Sequence, residues 1–342
     1  MSAPYFAGLD IGGTTVKSML LGADGLQVGP LVELRSHVRE GYKRTFEQLD
    51  SSLAQLCSQS GIEQAEIAAI GLDVPAPCCQ GVIWGQANLS KDWVGTDIGG
   101  QYEARCGKPV TVTNDGNAAA YGEWLLRPGR QAGLLFVAPG TGLGGGLVLP
   151  GGVMYEGANG LALEVSDLSV PFEDERGKPS DSAGREGCLE AWVSLVGIRR
   201  QLELRLLHER HREHPLNQLQ APIEEKALKL RDYAEKGDGL ALEIFQEQAR
   251  ILGYGLADMA SLLDPGLMVI GGGLAETGFR NWYLDEVREG FNHRAAPFYK
   301  RSPLPPHDLT TTFEWAVGGD SSAAYGSARR ALDLFQAQLA KR

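Results

Sequence analysis

The sequence predicts an α/β protein of two related domains with a ligand cleft between them. Three observations lead there. A strand–glycine-turn–strand unit stands at Phe6 to Leu21, and a second stands at Gly133 to Leu149, roughly 130 residues on, about one domain's length of chain. Between and after these units, helix-spaced and strand-like apolar segments alternate. The chain has 342 residues, enough for two cores.

The elements follow in order. Phe6 to Asp10 is an apolar strand, Gly12-Gly13 a tight turn, and Met19-Leu20-Leu21 resumes the apolar run. Gly22 to Gly25 turns again, and Leu26 to Leu34 reads as a third strand, giving a β-meander. Tyr42 to Ser60 has helical spacing, with Phe46, Leu49, Leu53, Leu56 and Cys57 near one face. Ile67 to Leu72 is a buried-type strand stopped by Pro75 and Pro77. Val110 to Thr113 is another, and a helix from about Asn117 to Leu126 follows it. The order βββαβα predicts a mixed sheet. The second unit has its strand at Gly133 to Ala138, its turn at Pro139 to Gly146 and its return strand at Leu147 to Leu149. Residues 188–212 and 223–236 read as helices, Ala241 to Leu263 as a long helix, Leu267 to Ile270 and Leu309 to Phe313 as strands, and Ser321 to Ala340 as a final amphipathic helix. The expected domains are 1–117 and 118–320, with a hinge near residues 116–132. The helix at about 321–340 is expected to pack back on the first domain, and residues 188–236 form a helical insertion in the second.

The chemistry begins in the opening turn. Asp10 ends the first strand, and Gly12, Gly13, Thr14, Thr15 and Lys17 follow. Glycines let the backbone approach a ligand and aim N–H groups at phosphate oxygens. Threonines add hydroxyl donors, and a strand-end carboxylate suits a hydrated Mg²⁺. A P-loop or a dinucleotide fingerprint would open a helix, and no helix follows here. Read alone, the segment fits a phosphate cradle or an ordinary glycine hairpin. The second turn, Gly140-Thr141-Gly142, shares its Gly-Thr pair with the first.

Bulk properties exclude other classes. Hydrophobic content of 43% and charged content of 22% are those of a soluble globular protein. A net charge of −11 argues against nucleic acid as a partner bound through a broad basic surface. No apolar run reaches membrane-spanning length and no signal-like N-terminus is seen, so a cytoplasmic chain is expected. The five cysteines, Cys57, Cys78, Cys79, Cys106 and Cys188, form no CxxC pair and read as free thiols.

Asp115 follows a strand and precedes a helix, where sites in open α/β sheets form. It suits the general base of in-line phosphoryl transfer, taking a hydroxyl proton, with Asn114 orienting the substrate. Position alone also fits Asp115 and Asn117 as helix caps. Glu164 and Glu190 lie near glycine-rich chain, where paired acceptors suit a polyol. Gly271-Gly272-Gly273, after a buried strand, suits the approach of a flat base or a tight strand-to-helix turn.

At this point the residues resemble a known family, the ROK sugar kinases of the actin/hexokinase/Hsp70-like ATPase superfamily. Asp10 to Lys17 resembles the first phosphate motif, and Gly140 to Gly146 the second. Asn88-Leu89 with Trp93 resembles a sugar-side stretch, and Asn114 to Ala119 the catalytic motif. Gly187 to Ala191 resembles the end of a zinc-and-sugar motif, and Val269 to Gly273 the adenosine-side loop. The resemblance covers nearly the whole chain in order. It implies two actin-like, ribonuclease-H-like domains, ATP with Mg²⁺, a hexose or N-acetylhexosamine (glucokinase-like) substrate, and a homodimer. It also implies that Asn88, Asn114, Asp115, Glu164, Asp167 and Glu190 face the sugar, with Gly271, Gly272 and Gly273 beside the adenosine.

The chain departs from the family in one region. The family's Gly-Glu-Ile-Gly-His carries a sugar-binding glutamate and a zinc-binding histidine. Here Glu164 is retained and Asp167 stands in the histidine's place. The family's Cys-x-Cys-Gly-x-x-Gly-Cys becomes Asp181 to Cys188, with only the last cysteine kept. One thiolate does not make a tetrahedral zinc site. No structural zinc is expected, Cys188 reads as a small core residue, and the loop at 171–187 must be held another way. The alternative expectation is a catalytically idle sugar-binding sensor, against which stand Asp10 and Asp115. ATP or polyphosphate as the donor, and the identity of the sugar, stay open at this level.

Overall fold

The computed structural model describes residues 4–85, 89–127, 132–300 and 310–340. In chain order the first elements are β1 (Tyr5–Ile11), β2 (Thr15–Leu21), β3 (Val32–Arg35), α1 (Tyr42–Ser60), β4 (Ile67–Val74), β5 (Cys78–Cys79), β6 (Val82–Ile83), α2 (Ile98–Cys106), β7 (Val110–Asn114) and α3 (Asp115–Leu125). Then come β8 (Leu134–Pro139), β9 (Leu143–Leu149), β10 (Val153–Tyr155), α4 (Leu189–Val193), α5 (Leu195–Leu207), α6 (Pro215–Gln218), α7 (Ile223–Leu228), α8 (Leu230–Glu235) and α9 (Gly239–Leu263). The chain finishes with β11 (Leu267–Ile270), α10 (Arg280–Arg294), β12 (Thr312–Trp315) and α11 (Ser322–Ala340).

Two five-stranded sheets result, ordered β3-β2-β1-β4-β7 and β10-β9-β8-β11-β12. Each begins as an antiparallel meander. Parallel pairs follow, β1 with β4 and β4 with β7 in the first, β8 with β11 and β11 with β12 in the second. The chain forms two compact units. The first holds residues 1–131, 146–163 and 317–342, and the second holds 132–145 and 164–316. The expected boundary is at 117–118; helix α3 instead lies in the first unit, and the chain passes between the units at 131–132, 145–146, 163–164 and 316–317. The final helix belongs to the first unit.

In the first unit, the two-residue period of a strand sorts side chains to opposite faces. Ala7, Leu9, Ile11, Ile70, Leu72 and Val74 join one core with Phe46, Leu49, Leu53 and Leu56 of α1. Phe6 and Ala69 join the other with Ala324, Ala328 and Leu332 of α11. Gly8 and Gly71 share that second face. A Cβ at either would overlap the α11 backbone, at Ala324 and Ser327 respectively. Glycine there lets the helix lie directly on the sheet, and Asp10 and Asp73 come next on the same face. In the second unit α9 crosses α10 just as closely, Gly253 against Val287 and Gly290 against Arg250.

Several elements differ from expectation: α10 was not foreseen, the helix expected over 223–236 is two, and the last strand is Thr312–Trp315. The third strand forms only at Val32–Arg35, because Gly29 takes φ 73° and Pro30 has no N–H to donate. The helix expected over 188–212 is broken at Ser194, whose extended backbone ends α4 and whose hydroxyl caps α5 by accepting from Val196 N. Helix α3 starts at Asp115, two residues early, with Asn114 as its cap. Among the described residues no helix is long and apolar enough to cross a membrane.

Candidate functional site

In the first unit the carboxyl ends of β1, β4 and β7 carry the candidates. Asp10 is registered against Asp73, and Val74 against Asn114. Asp10, Asp73, Asn114 and Asp115 therefore share one end of the sheet, the end at which open α/β sheets place their ligands. Asn114 Oδ1 accepts from Gly116 N at 2.8 Å and Asn117 N at 3.3 Å, so the capping weighed for Asp115 and Asn117 falls to Asn114. Asp115, on the first turn, accepts from Gly116 N at 2.7 Å and is half-buried. Asn117 is fully buried and ties α3 to Ala162 O at 2.9 Å.

The opening hairpin exposes Gly13 and Thr14 at its tip. Gly12 N donates to Thr15 O at 2.8 Å, which closes the turn. Lys17 stands opposite Asp10 across the β1–β2 pair and forms an ion pair with Asp320 at 2.6 Å. Its ammonium is thus shared with carboxylates of its own unit before any phosphate arrives. Asp73 is fully buried on the α11 face, where Ser327 Oγ donates to its Oδ2 at 2.6 Å. Burial first, then the charge and hydrogen bond of Asp10, push the Asp73 carboxyl well above the ordinary range. Asp10 is raised too, by burial, while the bond from Asp73 and the charge of Lys17 pull it back. Of the two carboxyls, Asp73 is the one whose surroundings favour the protonated form more strongly. The sequence reading missed Asp73, Asp320 and Ser327. The alternation Ala69-Gly71-Asp73, with a carboxylate on the face that α11 covers, is the signal that could have flagged Asp73.

In the second unit, β8 and β11 are parallel neighbours, with Val137 registered against Ile270. Their carboxyl ends lead into Gly140-Thr141-Gly142 and Gly271-Gly272-Gly273. Gly271 N donates to Val137 O at 2.8 Å, and a Cβ on Gly271 would stand 2.6 Å from the Phe136 ring. Gly272 takes φ 80°, a conformation that favours glycine. The two turns line one cavity of about 340 Å³, with Gly140, Thr141 and Gly273 at its rim and Leu195, Ile198, Phe245 and Arg231 around it. Arg231 was not foreseen.

Glu190 is buried in α4. Its Oε2 accepts from Leu143 N at 2.9 Å and its Oε1 from Ser182 Oγ at 3.0 Å, leaving lone pairs on both oxygens. Glu164 lies at the surface. Crowding by surrounding protein pushes its carboxyl up, Arg185 opposes this and Glu190 adds to it. Asp167, on the next turn, is exposed and pairs with Arg185. Asn88 lies outside the described residues. Trp93, in the same motif, is a core residue, fully buried with Nε1 donating to Val38 O at 3.0 Å.

The positions matching the zinc motif do not fit zinc. Ala183 has no donor atom. The Cys188 thiol donates to Asp181 Oδ2 at 3.4 Å, and burial pushes it up, away from the thiolate zinc requires. The Arg185 guanidinium already sits on both Asp167 and Asp181. All five cysteines are free thiols, and Cys188 is buried.

Comparison with known proteins agrees with this arrangement. The sequence pattern of the ROK family matches residues 6–333. A glucokinase of Halalkalibacterium halodurans is 30% identical over 304 residues, 87% of this chain and 88% of that one. Among solved structures, a ROK family glucokinase from Streptomyces griseus in complex with glucose and AMPPNP superposes with a TM-score of 0.75 at 25% identity, covering 96% of this chain and 99% of that one. A ROK hexokinase from Thermus thermophilus gives 0.75 at 26% identity, covering 97% and 99%. The meander-led sheets, the two glycine turns and the match over nearly the full length lead to one conclusion: this chain belongs to the ROK family.

Proposed function

We propose that the protein is an ATP-dependent sugar kinase acting on a hexose or N-acetylhexosamine, with Asp115 as the general base. The observation that carries the reading is the cavity of the second unit, a space of about 340 Å³ lined by residues of both glycine turns, Gly140 and Thr141 from one and Gly273 from the other. Gly140 N closes the turn on Gly142 O at 2.8 Å; the backbone N–H groups of Thr141 and Gly142 suit phosphate oxygens, and the glycine backbone ending at Gly273 suits the adenosine. Leu195, Ile198 and Phe245 supply the apolar wall that a base needs.

In the first unit, Asp115 takes the proton as the sugar hydroxyl attacks the terminal phosphorus. A negative charge on the first turn of a helix is stabilised by the N-terminal N–H groups, and a carboxylate is the form that accepts a proton. Asn114, fixed by its capping bonds, orients the hydroxyl. Glu164, Asp167, Glu190 and Asn88 bind the remaining hydroxyls. Mg²⁺ fits beside Asp10. A buried carboxyl pair next to one cationic side chain is a place where a divalent ion offsets negative charge, and it would do the same for the phosphates. Asp10 would hold it, and Gly12 to Lys17 would complete the cradle around the phosphates.

A coupled assay of ADP release across glucose, mannose, fructose, N-acetylglucosamine and N-acetylmannosamine tests the reading, with polyphosphate as a second donor. Sugar-dependent ADP release from at least one of them is expected. Tight sugar binding with no turnover on either donor would favour the sensor reading, which Asp167 and the altered motif motivate.

A further inference from the structure

We propose that Arg185 is the organising cation of the segment 164–190 and a positioning residue for the sugar-side carboxylates. The proposal rests on the kinase reading for its substrate, and on geometry for the tie itself. Asp181 is fully buried at its side chain, whereas Arg185 is 42% and Asp167 48% exposed. A buried carboxylate must be satisfied on all sides. Asp181 is: Oδ1 accepts from Ala183 N at 2.9 Å and Arg185 N at 2.8 Å, and Oδ2 from Arg185 Nε at 2.6 Å and from the Cys188 thiol. The Arg185 Nη2 lies 2.6 Å from the same oxygen, while Nη1 reaches Asp167. One planar guanidinium therefore joins the inner turn at 181–185 to the outer turn that starts at Glu164.

The inner turn also reaches the nucleotide side of its unit. Ser182, next to Asp181, donates to Glu190, and Glu190 accepts from Leu143 N. A path of direct bonds thus runs from Asp167 through Arg185 and the 181–185 turn to Glu190 and the second glycine hairpin. Glu164 feels the Arg185 charge as well. The fork geometry matters. Two carboxylates on different turns are bridged by a planar, permanently charged group, which a lysine ammonium cannot reproduce. Between the positions where the family pattern places zinc ligands, this chain carries an internal cation on its own side chain.

The test uses the full chain. Amide hydrogen exchange over residues 167–188 is read without sugar or nucleotide in Arg185→Ala. The double variant Arg185→Met with Asp181→Asn, which leaves no unpaired buried charge, is read beside it, and Arg185→Lys as the conservative replacement. KM values for ATP and for the sugar identified by the assay panel are then measured. The expected result is exchange faster by about tenfold or more across 167–188, the size of one lost charge-assisted hydrogen bond. The sugar KM should rise about as much while the ATP KM stays within about twofold, with Arg185→Lys between wild type and Arg185→Ala. Unchanged exchange overturns the tie. Faster exchange with an unchanged sugar KM overturns the positioning role, as does an equal rise in both KM values. Because exchange is read without ligands, a chain that phosphorylates no sugar overturns the kinase reading alone.

Discussion

The two sheets run in the same order, yet the hairpins that open them are built from opposite chemistry. The β1–β2 hairpin is charged: Asp10 leans on Asp73, Lys17 stands opposite, and Asp320 answers Lys17. The turn between β8 and β9 carries no charged side chain. It presents Gly140, Thr141 and Gly142, and its one carboxylate partner, Glu190, comes from α4 to hold Leu143 N. The same backbone plan thus serves two tasks. Strand-end carboxylates suit a cation and a proton, and an uncharged glycine turn beside a cavity suits a nucleotide. The likeness was legible as spacing, and the division of labour is legible only from the partners.

The largest effect should come from the charged side. Asp115→Asn keeps the side chain's shape and removes its capacity to take a proton, so turnover should fall about 10²–10⁴-fold. Sugar affinity by calorimetry should change little. Turnover near wild type would leave Asp115 as a first-turn residue without a chemical role. Next, Asp10→Asn should raise the Mg²⁺ needed for half-maximal rate by about 10–100-fold, the usual cost of losing an outer partner of a metal. Thr141→Val should leave that requirement alone and raise the ATP KM instead. Equal Mg²⁺ responses in the two variants would erase the contrast between the hairpins.

Stability should separate the faces of the first sheet. Gly71→Ala forces a methyl into the α11 backbone and should cost about 1–3 kcal/mol in chemical denaturation. Gly13→Ala, with nothing within 4 Å of the added carbon, should stay within about 0.5 kcal/mol. The smallest effect concerns pH. The Asp73 carboxyl in the fold titrates above its ordinary 3.8. Over the interval between those values the folded chain binds a proton that the unfolded chain has lost, so its contribution is full below the unfolded value and fades as pH rises. Asp73→Asn carries no such proton and keeps a donor toward Asp10. Without divalent cation, its melting temperature should gain on wild type as pH rises from about 4 to 7. A variant that loses ground to wild type over that range would contradict the reading of Asp73.

Local periodicity made much of the fold readable. The spacing of Phe46, Leu49, Leu53 and Leu56 gave α1 its full extent, and Ile67 to Leu72 marked β4. The break at Ser194 was hidden because a serine serves equally on a helix surface and as a cap. Helix α10 went unread because Arg, Asp, Glu and Asn surround its buried stripe of Tyr283, Leu284, Val287 and Phe291. At the candidate site, residues set by backbone pattern could be nominated from the sequence, among them Asp10, Asp115 and the glycines. Those defined by a distant partner were not. Ser327 reaches Asp73 across 254 positions of sequence, and Asp320 reaches Lys17 from the far end of the chain. Arg185 falls where the cysteine pattern specifies no residue, so nothing marked it, and its meaning lies in the two carboxylates it joins.

The most direct test of where the ligands sit is amide hydrogen exchange of the wild-type chain with a non-hydrolysable ATP analogue. Binding should protect peptides covering 139–143 and 271–274, the two turns lining the cavity of the second unit. If the analogue binds and neither segment gains protection, the assignment of the nucleotide to that cavity is contradicted.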